Sequence, residues 1–123
     1  MKQLKIIEAY KILEKNKKEP WSLPSSRKLY NLKARLQKEW DFQYEEEQKL
    51  LDELQPDITE EGMKFASTED ADKYRKLIKE LSDMDVEIEG LPIRIPDAGN
   101  EKVHIPTEDI EKLEGFVKFY GED

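Results

Sequence analysis

The sequence predicts an α+β fold that is mostly helical: a long antiparallel helical hairpin, a third helix, a small β-hairpin and a short C-terminal helix, in a single domain over 1–123. Three observations predict it. Apolar residues recur every three or four positions through three long stretches, the mark of helices with one buried face. Beyond Met84 the period drops to two, which suits half-buried strands. The 6 prolines and 5 glycines fall mainly between the periodic segments, where they punctuate elements.

The longest stretch, Ser25–Leu54, contains no Gly or Pro. Leu23-Pro24-Ser25-Ser26 reads as its start, with Ser25 or Ser26 as N-cap and Leu23 as a staple, and Gln55-Pro56 as its stop. Ahead of it, Lys2–Lys15 reads as a helix with Ile6, Ile7, Ala9, Tyr10 and Leu13 on one face. Leu4 and Ile12 lie off that stripe and ask for a second apolar neighbour. Pro20 ends this helix. Leu29, Leu32, Leu36 and Trp40 form the facing stripe, so the two helices pair antiparallel across Trp21–Pro24. Their lengths differ, roughly 21 Å against roughly 45 Å at 1.5 Å per residue. The first helix therefore leaves the far half of the second uncovered. There the stripe meets Gln43 and Glu47 before resuming at Leu50, Leu51 and Leu54. Either the helix bends or breaks near Asp41–Tyr44, or that zone is wet, or Glu47 has a cationic partner.

Gln55–Phe65 reads as irregular. Ser67-Thr68-Glu69-Asp70 opens a third helix, whose face of Ala71, Tyr74, Leu77, Ile78 and Leu81 is expected to cover the far half of the second. Val86–Glu89 alternates as a strand, slips phase at Gly90 and resumes through Leu91, Ile93 and Ile95. Pro92 and Pro96 restrict that span to a sheet edge, and Val103-His104-Ile105 is expected to pair back on it as a hairpin. Thr107 caps a last helix with Ile110, Leu113, Phe116, Val117 and Tyr120 on one face, unless Gly115 ends it early and leaves Phe116–Tyr120 extended. The tail Gly121–Asp123 is expected to be mobile.

Charged residues make up 41% and hydrophobic residues 37% of the chain, with a net charge of −8. The charge is divided unevenly. Residues 1–40 hold 11 Lys/Arg and 4 Asp/Glu, a net of +7, and residues 41–123 hold 10 and 25, a net of −15. Opposed ends of this kind attract each other within one chain or between copies, or present two surfaces to partners. With no cysteine, disulfides, thiolate metal sites and cysteine catalysis are excluded. No apolar run approaches the roughly 20 residues of a membrane span. No apolar signal core follows Lys2 and Lys5, so export is not expected.

Searched for chemistry, the chain offers little. His104 is its only histidine, and no serine sits in a nucleophile-elbow context. It has neither a glycine-rich phosphate loop nor a dinucleotide fingerprint. Glu45-Glu46-Glu47 and Asp57–Glu61 lack the ligand spacing of a calcium loop. No catalytic, cofactor-binding or metal residue is assigned, and no cofactor. Nucleic acid is not an expected partner: the leucine stripe claims Trp40 as core, and the acidic remainder repels a duplex. The expected contacts are with protein, through the uncovered far half (Gln43, Glu45, Glu46, Glu47, Leu50, Glu53) and around the connector (Trp21, Lys17, Lys18).

The ordered pattern resembles a family of small uncharacterised proteins, a domain of unknown function, from tailed phages and prophages of Gram-positive bacteria. The resemblance runs through Ile6–Leu13, Lys18-Glu19-Pro20-Trp21-Ser22-Leu23-Pro24, the Ser-Arg-Lys-Leu-Tyr-Asn-Leu run, and Leu77-Ile78-Lys79-Glu80-Leu81. It is closest from Val86-Glu87-Ile88 through Pro92-Ile93 and Ile105-Pro106 to Leu113-Glu114-Gly115-Phe116-Val117. The Gln55–Ser67 middle is shorter than the family pattern, and the family carries no catalytic residues across. The resemblance implies a phage-encoded accessory protein, in or near the virion structural genes. Taken with the residues, the expected function is non-enzymatic: an assembly factor or minor structural component, in the host cytoplasm or associated with the virion, that binds a phage or host protein and self-associates through its opposed basic and acidic ends. The alternative is an acidic inhibitor of a host or defence nucleic-acid-binding protein.

Overall fold

The computed structural model describes Met1–Gly121. Its elements in order are α1 (Gln3–Lys15), α2 (Leu23–Leu54), β1 (Asp57–Thr59), β2 (Gly62–Lys64), α3 (Thr68–Asp83), β3 (Ile93–Pro96), α4 (Thr107–Lys112) and β4 (Val117–Tyr120). The expectation for the tail falls on Glu122 and Asp123, outside the described residues.

The fold is α+β, and α2 is its axis. The helix begins earlier than the sequence suggests. Ser22, rather than Ser25 or Ser26, is the N-cap, and its Oγ accepts the Ser25 N–H at 3.3 Å. Pro24 is accommodated because a first-turn N–H has no intrahelical acceptor to lose. Leu23 does not staple the helix, since it is 84% exposed. From there α2 runs unbroken through Asp41–Tyr44 to Gln55, which closes it in a left-handed conformation. At 32 residues it is ~48 Å long.

The chain wraps this axis in two passes. Antiparallel to α2, α1 buries Ile6, Ala9, Ile12 and Leu13 against Leu29, Leu32 and Leu36. Ile12 finds the second neighbour its off-stripe position asked for, while Leu4 stays 51% exposed. Gln3, fully buried, bonds from Nε2 to the Glu39 carbonyl at 3.0 Å, so α1 starts level with the middle of α2. Past that level α3 takes over. It runs back from the far end of α2, and its exit meets the start of α1, where Gln3 N–H bonds to Met84 O at 2.8 Å. The following segment then climbs along the near half of α2. Arg35 bonds to the Glu89 carbonyl, and Lys28 to the Arg94 carbonyl at 3.0 Å.

Two expected pairings are replaced. Val86–Glu89 forms no strand; Val86 N–H bonds to Met1 O at 2.8 Å, and Asp85 makes a single antiparallel bridge to Lys2. Val103–Ile105 does not pair back on β3 either. The last helix ends at Lys112, and Gly115 beyond it turns the chain at φ +88°, a conformation costly for a residue with Cβ. The chain beyond it becomes β4, which lies parallel to β3 in the register Ile93↔Val117 to Pro96↔Tyr120. A parallel pair needs a crossover rather than a tight turn, and the 97–116 segment with α4 supplies it. The β-hairpin that forms is β1–β2, inside the stretch that reads as irregular, pairing Ile58 with Met63.

The core comprises α1, the near half of α2, Ile95, Leu113, Phe116 and Val117. No residue from Asp41 to Glu80 is buried. The far half of α2 and most of α3 thus form an arm one helix pair thick.

Candidate functional site

The turn between α1 and α2 is fixed by polar contacts from later in the chain. Asn100, 8% exposed, accepts the Ser22 N–H at 2.7 Å and donates from Nδ2 to Ser25 Oγ at 2.9 Å and to Pro96 O at 2.7 Å. The N-terminal end of α2 is thereby tied to the end of β3. Asp109, also buried, joins α4 to the last turn of α1 by accepting from Lys15 Nζ at 3.0 Å and Asn16 Nδ2 at 3.3 Å. The Lys15 ammonium, helped by the Asn16 amide, holds its carboxyl below the usual carboxylate range against the opposing effect of burial. Trp21 donates from Nε1 to Asn16 O at 3.1 Å and stacks on Phe119, ring centroids 6.2 Å apart.

With the turn held in this way, an open groove of about 440 Å³ lies beside it. Ile12, Leu13 and Leu29 line it with apolar surface, and Trp21, Ile105 and Phe119 extend that lining. Leu23 and Tyr30, 84% and 64% exposed, stand at its edge. Three cations, Lys17, Arg27 and Lys33, also line it. Glu14 pairs with Lys17 and with Lys33, the latter at 3.0 Å. Lys17 first, then Lys33, pulls the Glu14 carboxyl below its ordinary range, and Glu14 raises Lys17 in return. Arg27 has no ion-pair partner among the described residues. The groove is therefore suited to apolar side chains flanked by carboxylates.

The candidates named from sequence divide between two ends of the molecule. Trp21 and Lys17 belong to the groove, while Lys18 is exposed outside its lining. The far-half residues do not form one open face. Gln43 and Glu47 are half-buried, and Gln43 Oε1 is sealed from solvent without a hydrogen-bond partner among the described residues. Glu47 lies under the influence of Lys11 from α1 and close enough to Tyr74 of α3 to perturb it. Burial raises the Glu47 carboxyl, and Lys11 opposes the rise; the Tyr74 hydroxyl is raised by burial and then by the Glu47 charge. The interruption at Gln43 and Glu47 is thus turned toward the rest of the chain instead of a free surface. Glu46 pairs with Lys49 at 2.8 Å, Leu50 is half-buried, and Glu45 and Glu53 are exposed.

Sequence reasoning missed Asn100, Asp109, Phe119 and Ile105. They reach the turn from 75 to 100 residues downstream, through contacts no local period encodes. Of the groove residues, Trp21 and Lys17 were legible in the sequence as contacts around the connector. Among the described residues no group of three or more His, Asp or Glu is placed to hold a metal, and no helix is long and apolar enough to cross a membrane. No family model, characterised protein or solved structure matches the chain.

Proposed function

We propose that this chain is a non-enzymatic binding protein that acts through protein–protein contacts, with the cationic groove at the α1–α2 turn as its principal surface. The observation that carries this reading is the groove itself: apolar lining, a guanidinium unpaired among the described residues, and Leu23 and Tyr30 left exposed beside it. Large apolar side chains exposed together, rimmed by charge, mark interaction surfaces. The phage setting, as assembly factor or minor structural component in the host cytoplasm or on the virion, follows from the sequence resemblance alone.

The test is a pull-down from infected cells with the wild-type chain and with Leu23→Glu and Arg27→Glu variants, alongside mass spectrometry of purified virions. A partner retained by wild type and lost by both variants supports the reading. Equal retention by all three chains refutes the groove as the surface. A second reading, inhibition of a cationic nucleic-acid-binding protein by the acidic arm, is favoured by the exposure of Glu45 and Glu53. Reversing Glu45, Glu46 and Glu53 to Lys separates the two readings, since only the second loses its partner.

A further inference from the structure

We infer that the groove of one copy receives the β1–β2 tip of another, so that the chain associates head to tail. This rests on the reading of the groove as a protein-binding surface and names its occupant. All six residues of β1 and β2 are exposed, and the pair packs against no other helix or strand among the described residues. An isolated two-stranded hairpin is marginal in water. This one presents a cross-strand apolar pair, Ile58 and Met63, at 82% and 39% exposure. Carboxylates surround that pair. The tip itself, residues 57–64, carries three Asp/Glu and one Lys, a net of −2, facing a groove lined by Lys17, Arg27 and Lys33.

Geometry makes the match intermolecular. The groove takes in α2 from Leu23 to Lys33 and the tip follows Leu54, so ~30 Å of one unbroken helix separates them. Charge then selects the mode. Two arms packed on each other would set like-charged surfaces together, whereas tip into groove sets the acidic tip, net −2, against cations. A tip-to-groove contact is heterologous: each copy keeps a free groove at one end and a free tip at the other, so growth continues until a ring closes.

Sedimentation velocity on the full chain tests this with two surface variants. Leu23→Glu/Arg27→Glu blocks the groove, and Ile58→Asp/Met63→Asp blocks the tip. None of the four side chains is in the core, and circular dichroism checks that each variant folds. Wild type is expected to associate with concentration, less so at high salt, and each variant alone to associate at least about tenfold more weakly. Mixed, the two variants should form a one-to-one complex that grows no further, because one supplies the only free tip and the other the only free groove. The inference is overturned if wild type stays monomeric, if either variant associates like wild type, or if the mixture shows no complex. Should wild type stay monomeric while the groove variant still loses a partner in the pull-down, this inference fails and the groove reading stands. Should the groove variant change neither assay, both fail.

Discussion

Asn100→Ala isolates the contact that fixes the turn carrying the groove. The side chain makes three hydrogen bonds, to Ser22 N–H, Ser25 Oγ and Pro96 O. A net value of ~1 kcal/mol per bond sets the loss near 3 kcal/mol. Ser25 Oγ keeps its contact with Ser22 Oγ at 2.9 Å, so that bond is the least costly to lose. The expected destabilisation is therefore about 2–3 kcal/mol, or roughly 8–12 °C in Tm for a domain of this size. Urea denaturation followed by the helical circular dichroism signal measures it. A loss under about 0.5 kcal/mol, the level of an ordinary surface substitution, would refute the reasoning. Asn100→Asp supplies an independent check. It keeps an acceptor for Ser22 N–H but sets a carboxylate oxygen against the Pro96 carbonyl. The fold then disfavours the charged form and raises the folded pKa above the unfolded value of ~3.9. The variant should be least stable above its folded pKa and recover as pH falls toward the unfolded one. A loss independent of pH would count against that geometry.

Other perturbations probe the rest of the chain. Leu36→Ala, at a fully buried position, should cost 2–5 kcal/mol, about the usual range for a core leucine, while Leu50→Ala in the arm should cost about 1 kcal/mol; equal costs by urea denaturation would contradict the one-sided core. Asp109→Asn should cost about 1 kcal/mol at neutral pH, because Lys15 is largely exposed and its charge screened. Since the Asp109 carboxyl is held low in the fold, the difference from wild type should be constant above ~pH 4 and fade as pH falls through the folded pKa. Glu47→Gln acts in the opposite direction. Burial raises the Glu47 carboxyl, so wild type carries a penalty above the folded pKa that is gone below the unfolded value. The variant should be more stable at neutral pH, by under ~1 kcal/mol, and equal to wild type by ~pH 4.

What the sequence made legible follows from how far each signal reaches. The stripes Ile6–Leu13 and Leu29–Leu36 gave the α1–α2 pair, because helix periodicity is local and both faces are apolar. The start of α2 was misplaced because Leu23-Pro24 reads as a break, although a first-turn proline loses no bond. The strands went wrong for a different reason. Alternation in Val86–Glu89 reports half-burial, and an extended segment laid along a helix is half-buried without being a strand. The choice between Val103–Ile105 and Val117–Tyr120 as the neighbour of β3 was decided by Gly115 and by burial of Phe116, which a periodic reading assigns equally well to a helix. The same limit applies to the site. Trp21, Lys17 and Arg27 are local to the turn, whereas Asn100 and Asp109, which hold that turn, are loop and helix-cap residues whose partners lie far away in the chain.

The arm raises a question of its own: why it is ordered with nothing buried between Asp41 and Glu80. The answer lies in the continuity of α2. Starting a helix is costly, whereas extending one adds a hydrogen bond for each residue fixed. The near half of α2, clamped by Leu29, Leu32 and Leu36 in the core, acts as the nucleus from which the far half propagates. By contrast α3 must be started anew, with Ser67 capping the Asp70 N–H at 3.1 Å and Glu69 and Asp70 in its first turn. It is anchored at its other end by Leu81, 4% exposed, and by the Gln3–Met84 bond. Its unanchored N-terminal half, held by half-buried Ala71, Tyr74 and Leu77, has the least to lose by opening. Native-state hydrogen exchange should show protection falling from α1 and the near half of α2, through the far half of α2, to the first two turns of α3. Protection as high at Tyr74 as at Leu32 would mean that the arm is stabilised by something other than these contacts. If that excess protection rose with protein concentration and vanished in Ile58→Asp/Met63→Asp, its source would be the neighbouring copy.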